Sequence, residues 1–397
     1  MYPSSEAPFY FLSIFWLQTI MADLPPPSPG KPLPSATEAA QQSLSNYNNI
    51  NPATVCLESN ALGAYEICLA FEQRAVATNK YKDVLYARIL GYLILHVPSD
   101  AARRELNSII HSCSASLSRL ESAGSSSSVD GSDFGKLSEL GETFLLFFIR
   151  SFKKFMGRTP ASSDSLSRPS FDQDKARVQD LIDAAKSNHE KAKIAALYRD
   201  GYKCVVNGRY DLSAPDISVE EALNAGGCVL TRLAHIVPDS TYFTLSDNNK
   251  KGYAASVLAV LKRSGYDVNK INGDTVHSLY NVMTMQRDTH EFFDCLEIYF
   301  EETDTVNCYR VIAFDTRIQE PRTVTLTTPD PVLYPLPDPK LLALHATCAK
   351  VAHLSGAGEY LDKIDYDEET IGVLATDGGS FEVLNQALLR SFIRVGA

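Results

Sequence analysis

The sequence predicts an α+β fold, mostly helical, carrying one short strand–strand–helix unit with an inserted helical segment. Three observations lead there. Apolar residues recur at helical spacing through both flanks of the chain. The middle, from about Tyr198 to Phe314, holds instead short β-branched and aromatic runs punctuated by Gly, Asn and Pro. Within that middle, the stretch carrying His290 and Asp294 returns to helical spacing. With 397 residues, 45% of them hydrophobic, the chain can bury one large core or two to three smaller ones.

Residues 1–50 open with an apolar run, Phe9 to Ile20, of about signal-peptide length and too short for an ordinary membrane span. It has no basic flank and carries Glu6. Because Met21-Ala-Asp-Leu-Pro reads as an ordinary intracellular amino terminus, the expected start is Met21, followed by a proline-rich extended arm over 23–36. Residues 51–121 read as helices, as in Leu85 to Ile94 and Ala101 to Ile110, separated at Pro98 with Ser99 or Asp100 as N-cap. A Ser/Gly linker at 122–135 leads into a helical region, 136–197. Its apolar helix, Leu137 to Met156, ends near Lys153, Lys154 and Arg158, which either complement the helix terminus or meet phosphate. A charged amphipathic helix, Asp172 to Tyr198, then delivers the chain into the central region.

That region spans 198–320. Tyr202 to Asp211 is expected as a hairpin turning at Asn207-Gly208. Gly227 to Pro238 is the next strand, and an insertion, 239–280, is expected to hold helices near 250–263 and 273–280. A helix around Met285 to Asp294 closes the strand–strand–helix unit. Leu296 to Glu301 and Cys308 to Phe314 form a further hairpin about Thr303 to Asn307. A proline-rich crossing enters the C-terminal helical segment, 338–397, with helices near 340–360 and 381–393.

The chemistry-bearing residues cluster in the centre. His235 ends an apolar run stopped by Pro238, which places its imidazole at a strand end. His290 and Asp294, four apart, share one helix face. Imidazole nitrogen and carboxylate oxygen both suit a divalent ion, so this pair can hold one while His235 takes a proton. Asn281 either caps the following helix or orients the base. His345, Cys348 and His353 do not share one face well and read as packing. The net charge of −11 argues against non-specific coating of nucleic acid but leaves room for a local basic groove. Eight cysteines without CxxC pairs indicate neither a zinc ribbon nor a disulfide framework, and point to a reducing, intracellular compartment, nucleus or cytoplasm.

At Ala195 to Asp211, at Ala234-His235-Ile236, and from Asn281 to His290 and Asp294, the sequence resembles the HNH family of ββα-metal nucleases. The likeness is closest to the helical multidomain HNH proteins predicted in fungal genomes. The resemblance implies an endonuclease that hydrolyses DNA phosphodiester bonds with Mg²⁺, Mn²⁺ or Zn²⁺. It makes His235 the general base, Asn281 its orienting residue and His290 a metal ligand, with Asp294 completing the pair. Lys203, Arg209, Arg232 and Arg287 are the nearest basic groups for phosphate. The chain departs from the family where Ala234 replaces a usual ligand and Asn207 a usual Thr. The alternative is a catalytically degenerate module inside a non-enzymatic interaction protein. No membrane partner is expected.

Overall fold

A computed structural model describes residues 30–46, 59–121, 134–153, 189, 191–215, 217–238, 266, 276–318 and 322–371. The apolar amino-terminal run, the Ser/Gly linker, the expected helix at 250–263 and the last expected helix lie outside the described residues. The described chain mixes helices with small sheets, as an α+β fold requires.

The helical part contains α1 (Ala36–Asn46), α2 (Ser59–Ala77), α3 (Tyr81–His96), α4 (Asp100–Glu121) and α5 (Gly135–Phe144). The last continues through one wider π-type turn, Leu145–Ile149, to Phe152. From Val84 to Leu95 every residue of α3 is buried. A helix so apolar on all sides must be surrounded, and α3 packs against α2, α5 and the C-terminal α9 (Pro339–Ser355). The charge it carries is paired: Arg88 Nε lies 2.5 Å from Glu72 Oε1, with both side chains buried. Arg88 also bonds the Gly30 carbonyl, and Glu72 accepts the Leu33 amide. Tyr92 and Tyr65 hydroxyls donate to the carbonyls of Lys31, Pro32 and Pro34. Residues 30–35, expected as part of a free arm, are thus pinned to the helices by buried polar groups that would otherwise lack partners. Ser99 caps α4, its hydroxyl accepting the Ala102 amide at 3.2 Å.

The central region begins with a helix over 191–199, α6. Strands β1 (Tyr210–Asp211) and β2 (Cys228–Val229) pair in parallel, joined through α7 (Val219–Asn224). The hairpin expected over 202–211 is reduced to a single antiparallel bridge, Lys203 with Tyr210, around a tight loop. The loop docks on the next sheet through Val205 N to Thr284 O and Asn207 Nδ2 to Gln286 Oε1. The strand pair of the central unit is instead β3 (Thr231–His235) with β4 (Val282–Gln286), antiparallel, His235 opposite Val282 and Thr231 opposite Gln286. The helix expected from Met285 begins at Arg287: α8 (Arg287–Asp294) follows β4 directly and packs on both strands. The described end of the insertion is not a helix to Tyr280 but a short 3-10 turn, Leu279–Asn281.

Strands β5 (Ile298–Glu302), β6 (Cys308–Ala313) and β7 (Arg322–Thr325) form an antiparallel sheet, and α9 packs on β5. The helix expected to run to Tyr360 breaks at Gly356 and resumes as α10 (Ala357–Ile371). One continuous cluster of buried apolar side chains runs from α2, α3 and α5 through α9 into the sheet and the β4 methionines. A small second cluster, Ala192, Ala196, Leu233 and Val282, joins α6 to the other side of the β3/β4 pair. Among the described residues no helix is long and apolar enough to cross a membrane.

Candidate active site

Along β3, alternation sends Ala234 to the large core and Leu233 to the α6 side. His235, of the same parity as Leu233, ends the strand half-buried. Its imidazole meets two others. Nε2 of His235 lies 2.9 Å from Nδ1 of His277, a hydrogen bond between rings whose centroids are 5.1 Å apart. His189, just before α6, brings its ring centroid to 5.8 Å from His235 and 5.5 Å from His277. Neither partner belongs to the pattern that picks out His235. His277 offers only its place four residues before Asn281, and His189 a position one and two helical turns before Ala192 and Ala196, the face that packs on Leu233.

Asn281 does not cap α8, whose first turn is preceded by Gln286. It is fully buried, with no exposed surface. Its side-chain oxygen accepts the Val237 amide at 2.9 Å, and its nitrogen donates to the carbonyls of Val237 and Val276, both at 2.9 Å. Its main chain adds Ile236 N to Asn281 O and Asn281 N to Ser278 O, each 2.8 Å. The amide therefore ties the chain just after His235 to the chain just before His277. It holds the chain beside both imidazoles through backbone groups and makes no bond to either ring among the described residues.

A second brace was not legible as such in the sequence. Arg199, 1% exposed at the end of α6, donates to the carbonyls of Leu279, Val282 and Pro335. Its charge is met by Asp200 at 2.7 Å, and Asp200 in turn accepts the Thr284 amide. A guanidinium with five donors is the side chain able to satisfy so many converging acceptors. Asp211 plays the matching part on the other strand. Burial works to raise its pKa, but hydrogen bonds from Ser213 and Thr231 outweigh that and hold it below the ordinary carboxylate range.

On α8, His290 Nε2 stands 3.2 Å from Asp294 Oδ2, with side chains 16% and 18% exposed. Nitrogen and carboxylate oxygen are thus together on one reachable helix face, a donor pair that fits two positions of a divalent ion. Among the described residues, no group of three or more His, Cys, Asp and Glu side chains is arranged to hold a metal. Ala234, where the family resemblance expects a further ligand, is fully buried in the apolar core.

The basic candidates are dispersed. Lys203 places its ammonium 4.4 Å above the Tyr210 ring. Arg209 lies along Gly226 and Gly227, with a buried Nε that has no hydrogen-bond partner among the described residues. Arg232 and Arg287 are exposed, near the end of the β3/β4 pair opposite His235. At the strand rise, Arg232 sits about 10 Å along β3 from His235. Lys153, expected at a helix terminus or on phosphate, is buried, bonded to the Cys295 carbonyl and to Asp362, each at 3.1 Å. His345 and His353 stack on Phe293 and Phe314 with centroids 3.7 and 4.0 Å apart, and Cys348 is buried, so all three serve packing. No protein-family model, curated protein or solved structure matches the chain.

Proposed function

We propose that this chain is an HNH-type endonuclease that hydrolyses DNA phosphodiester bonds with a divalent ion. The observation that carries the reading is the succession β3, β4, α8. It puts His235 at the end of the first strand, the buried Asn281 at the start of the second, and the His290–Asp294 pair on the helix that follows. In this reading His235 accepts a proton from the attacking water. Asn281 fixes the backbone on either side of the base, and Arg199 fixes the turn that carries Asn281. His290 and Asp294 would hold the ion, which when bound neutralises charge developing on the phosphate and on the leaving oxygen. Arg232 and Arg287, exposed near one end of the β3/β4 pair, offer cations to the neighbouring phosphates that a net charge of −11 does not otherwise favour.

The full chain incubated with supercoiled plasmid and Mg²⁺, Mn²⁺ or Zn²⁺ is expected to nick it. His235→Ala should lower the rate by about 10²–10⁴-fold without changing the melting temperature. Unchanged cleavage in that variant removes His235 from the chemistry. The burial of Ala234 favours a second reading, a degenerate module without its full ligand set. Calorimetry showing no heat with any of the three ions, together with an intact plasmid, would select it.

A further inference from the structure

We infer that His277 is a positioning residue for His235, setting the tautomer in which His235 can take a proton. This deepens the nuclease reading and rests on it for its catalytic consequence, but the tautomer itself is a property of the resting protein.

The argument starts from one bond. Nε2 of His235 and Nδ1 of His277 lie 2.9 Å apart. Only one of these nitrogens can carry the proton between them, and the choice decides what His235 can do. If His277 Nδ1–H donates, neutral His235 holds its own proton on Nδ1 and spends its Nε2 lone pair on the bond. It then has no nitrogen with which to accept a proton while the pair is intact. If His235 Nε2–H donates, Nδ1 of His235 is the unprotonated nitrogen, and His277 carries its proton on Nε2. A base at this position requires the second arrangement.

The surroundings hold the two rings together. Asn281 bonds Val237, two residues after His235, and Val276, one residue before His277, so one buried amide fixes both sides of the pair. The His189 ring stands 5.5 Å from His277 and 88° to it, and 5.8 Å from His235. When water gives its proton to Nδ1 of His235, the Nε2–H bond to His277 becomes charge-assisted and strengthens. An orienting group that does not itself take the proton has that same effect on a histidine base.

Two measurements on the full chain test this. In the protein labelled with ¹⁵N at histidine, the expected spectrum shows His235 protonated at Nε2 and a scalar coupling from that nitrogen to His277 Nδ1. The coupling should be absent in His277→Ala. A His235 protonated at Nδ1, or no coupling in the wild-type protein, overturns the inference whether or not DNA is cut. In plasmid cleavage, His277→Ala should lower kcat about 10–100-fold, the size of a lost orienting partner, with KM unchanged. His277→Asn should recover most of the loss, because its side-chain oxygen can accept in place of Nδ1. Full activity in His277→Ala, or no recovery with Asn in a protein that melts normally, also overturns it. The expected spectrum with an intact plasmid would retain the pairing and sink the nuclease reading instead.

Discussion

Asn281 shows how much one side chain can decide. All of its hydrogen-bonding capacity but one lone pair is used, within a site that excludes water. Asn281→Ala would orphan the Val237 amide and the Val237 and Val276 carbonyls at once. Each buried group without a partner costs about 1–3 kcal/mol, partly relieved by local opening. The expected loss is about 2–4 kcal/mol in urea unfolding, with Ile236 and Val237 amides exchanging faster with solvent. A loss under about 0.5 kcal/mol would show that the turn is not held by this amide. The residue was singled out in the sequence through the family resemblance, but its partners were not. They are backbone groups brought to it across an insertion, and no side-chain pattern records backbone groups. His277 was illegible for a related reason: its observed partner is the His235 imidazole, 42 residues away across the insertion.

At the level of elements, helices with long apolar periodicity and the strand that carries His235 were readable, and its partner β4 was not. Val282-Met-Thr-Met-Gln is a strand buried on both sides except at its last residue, so the alternation that marks a half-exposed strand is missing. Two methionines, good helix formers, complete the disguise. The tight loop at 203–209 kept its Asn-Gly signal and a single bridge to its own returning arm, and found a second partner in β4. The C-terminal helix illustrates a stop signal overridden by length: periodicity runs past Ser355, yet Gly356 takes a left-handed conformation, φ 82°, and separates α9 from α10. An alanine there must adopt the same positive φ. Gly356→Ala is therefore expected to cost about 1 kcal/mol, read as a lower urea midpoint with unchanged m-value. A gain in stability would mean that the two helices can fuse into one, as the sequence alone suggested.

Across the whole molecule, the helical layer and the strand-bearing centre share one apolar core, and a histidine buried in it, with a partly buried one at its margin, makes its stability depend on acid. His345 sits between Phe293 and Phe152, and burial lowers its pKa to about 3, against a smaller opposing effect of the Phe293 carbonyl. His96, at the end of α3, is lowered to about 4, first by burial and then by Lys350, with Glu301 opposing. Both are neutral in the folded protein where the unfolded chain, near 6.5, already binds protons. Stability therefore rises with pH through this interval and is lost as pH falls below about 6.5. Glu297 acts in the other direction, since burial raises its carboxyl and the folded state then binds its proton first, while His353, lowered by burial, acts with the other two imidazoles. Asp211 and Glu301, held below their ordinary values, contribute losses only near and below pH 4. Between pH 6.5 and 4.5 the imidazoles thus dominate, at about 1.4 kcal/mol per pH unit for each group protonated only when unfolded. Urea unfolding over that range is expected to show stability falling with a slope of about two protons or more, and His345→Leu should reduce the slope by about one. A flat profile from pH 6.5 to 4.5 would mean that these histidines take up protons without unfolding, and that the core joining the two parts of the chain is open to water.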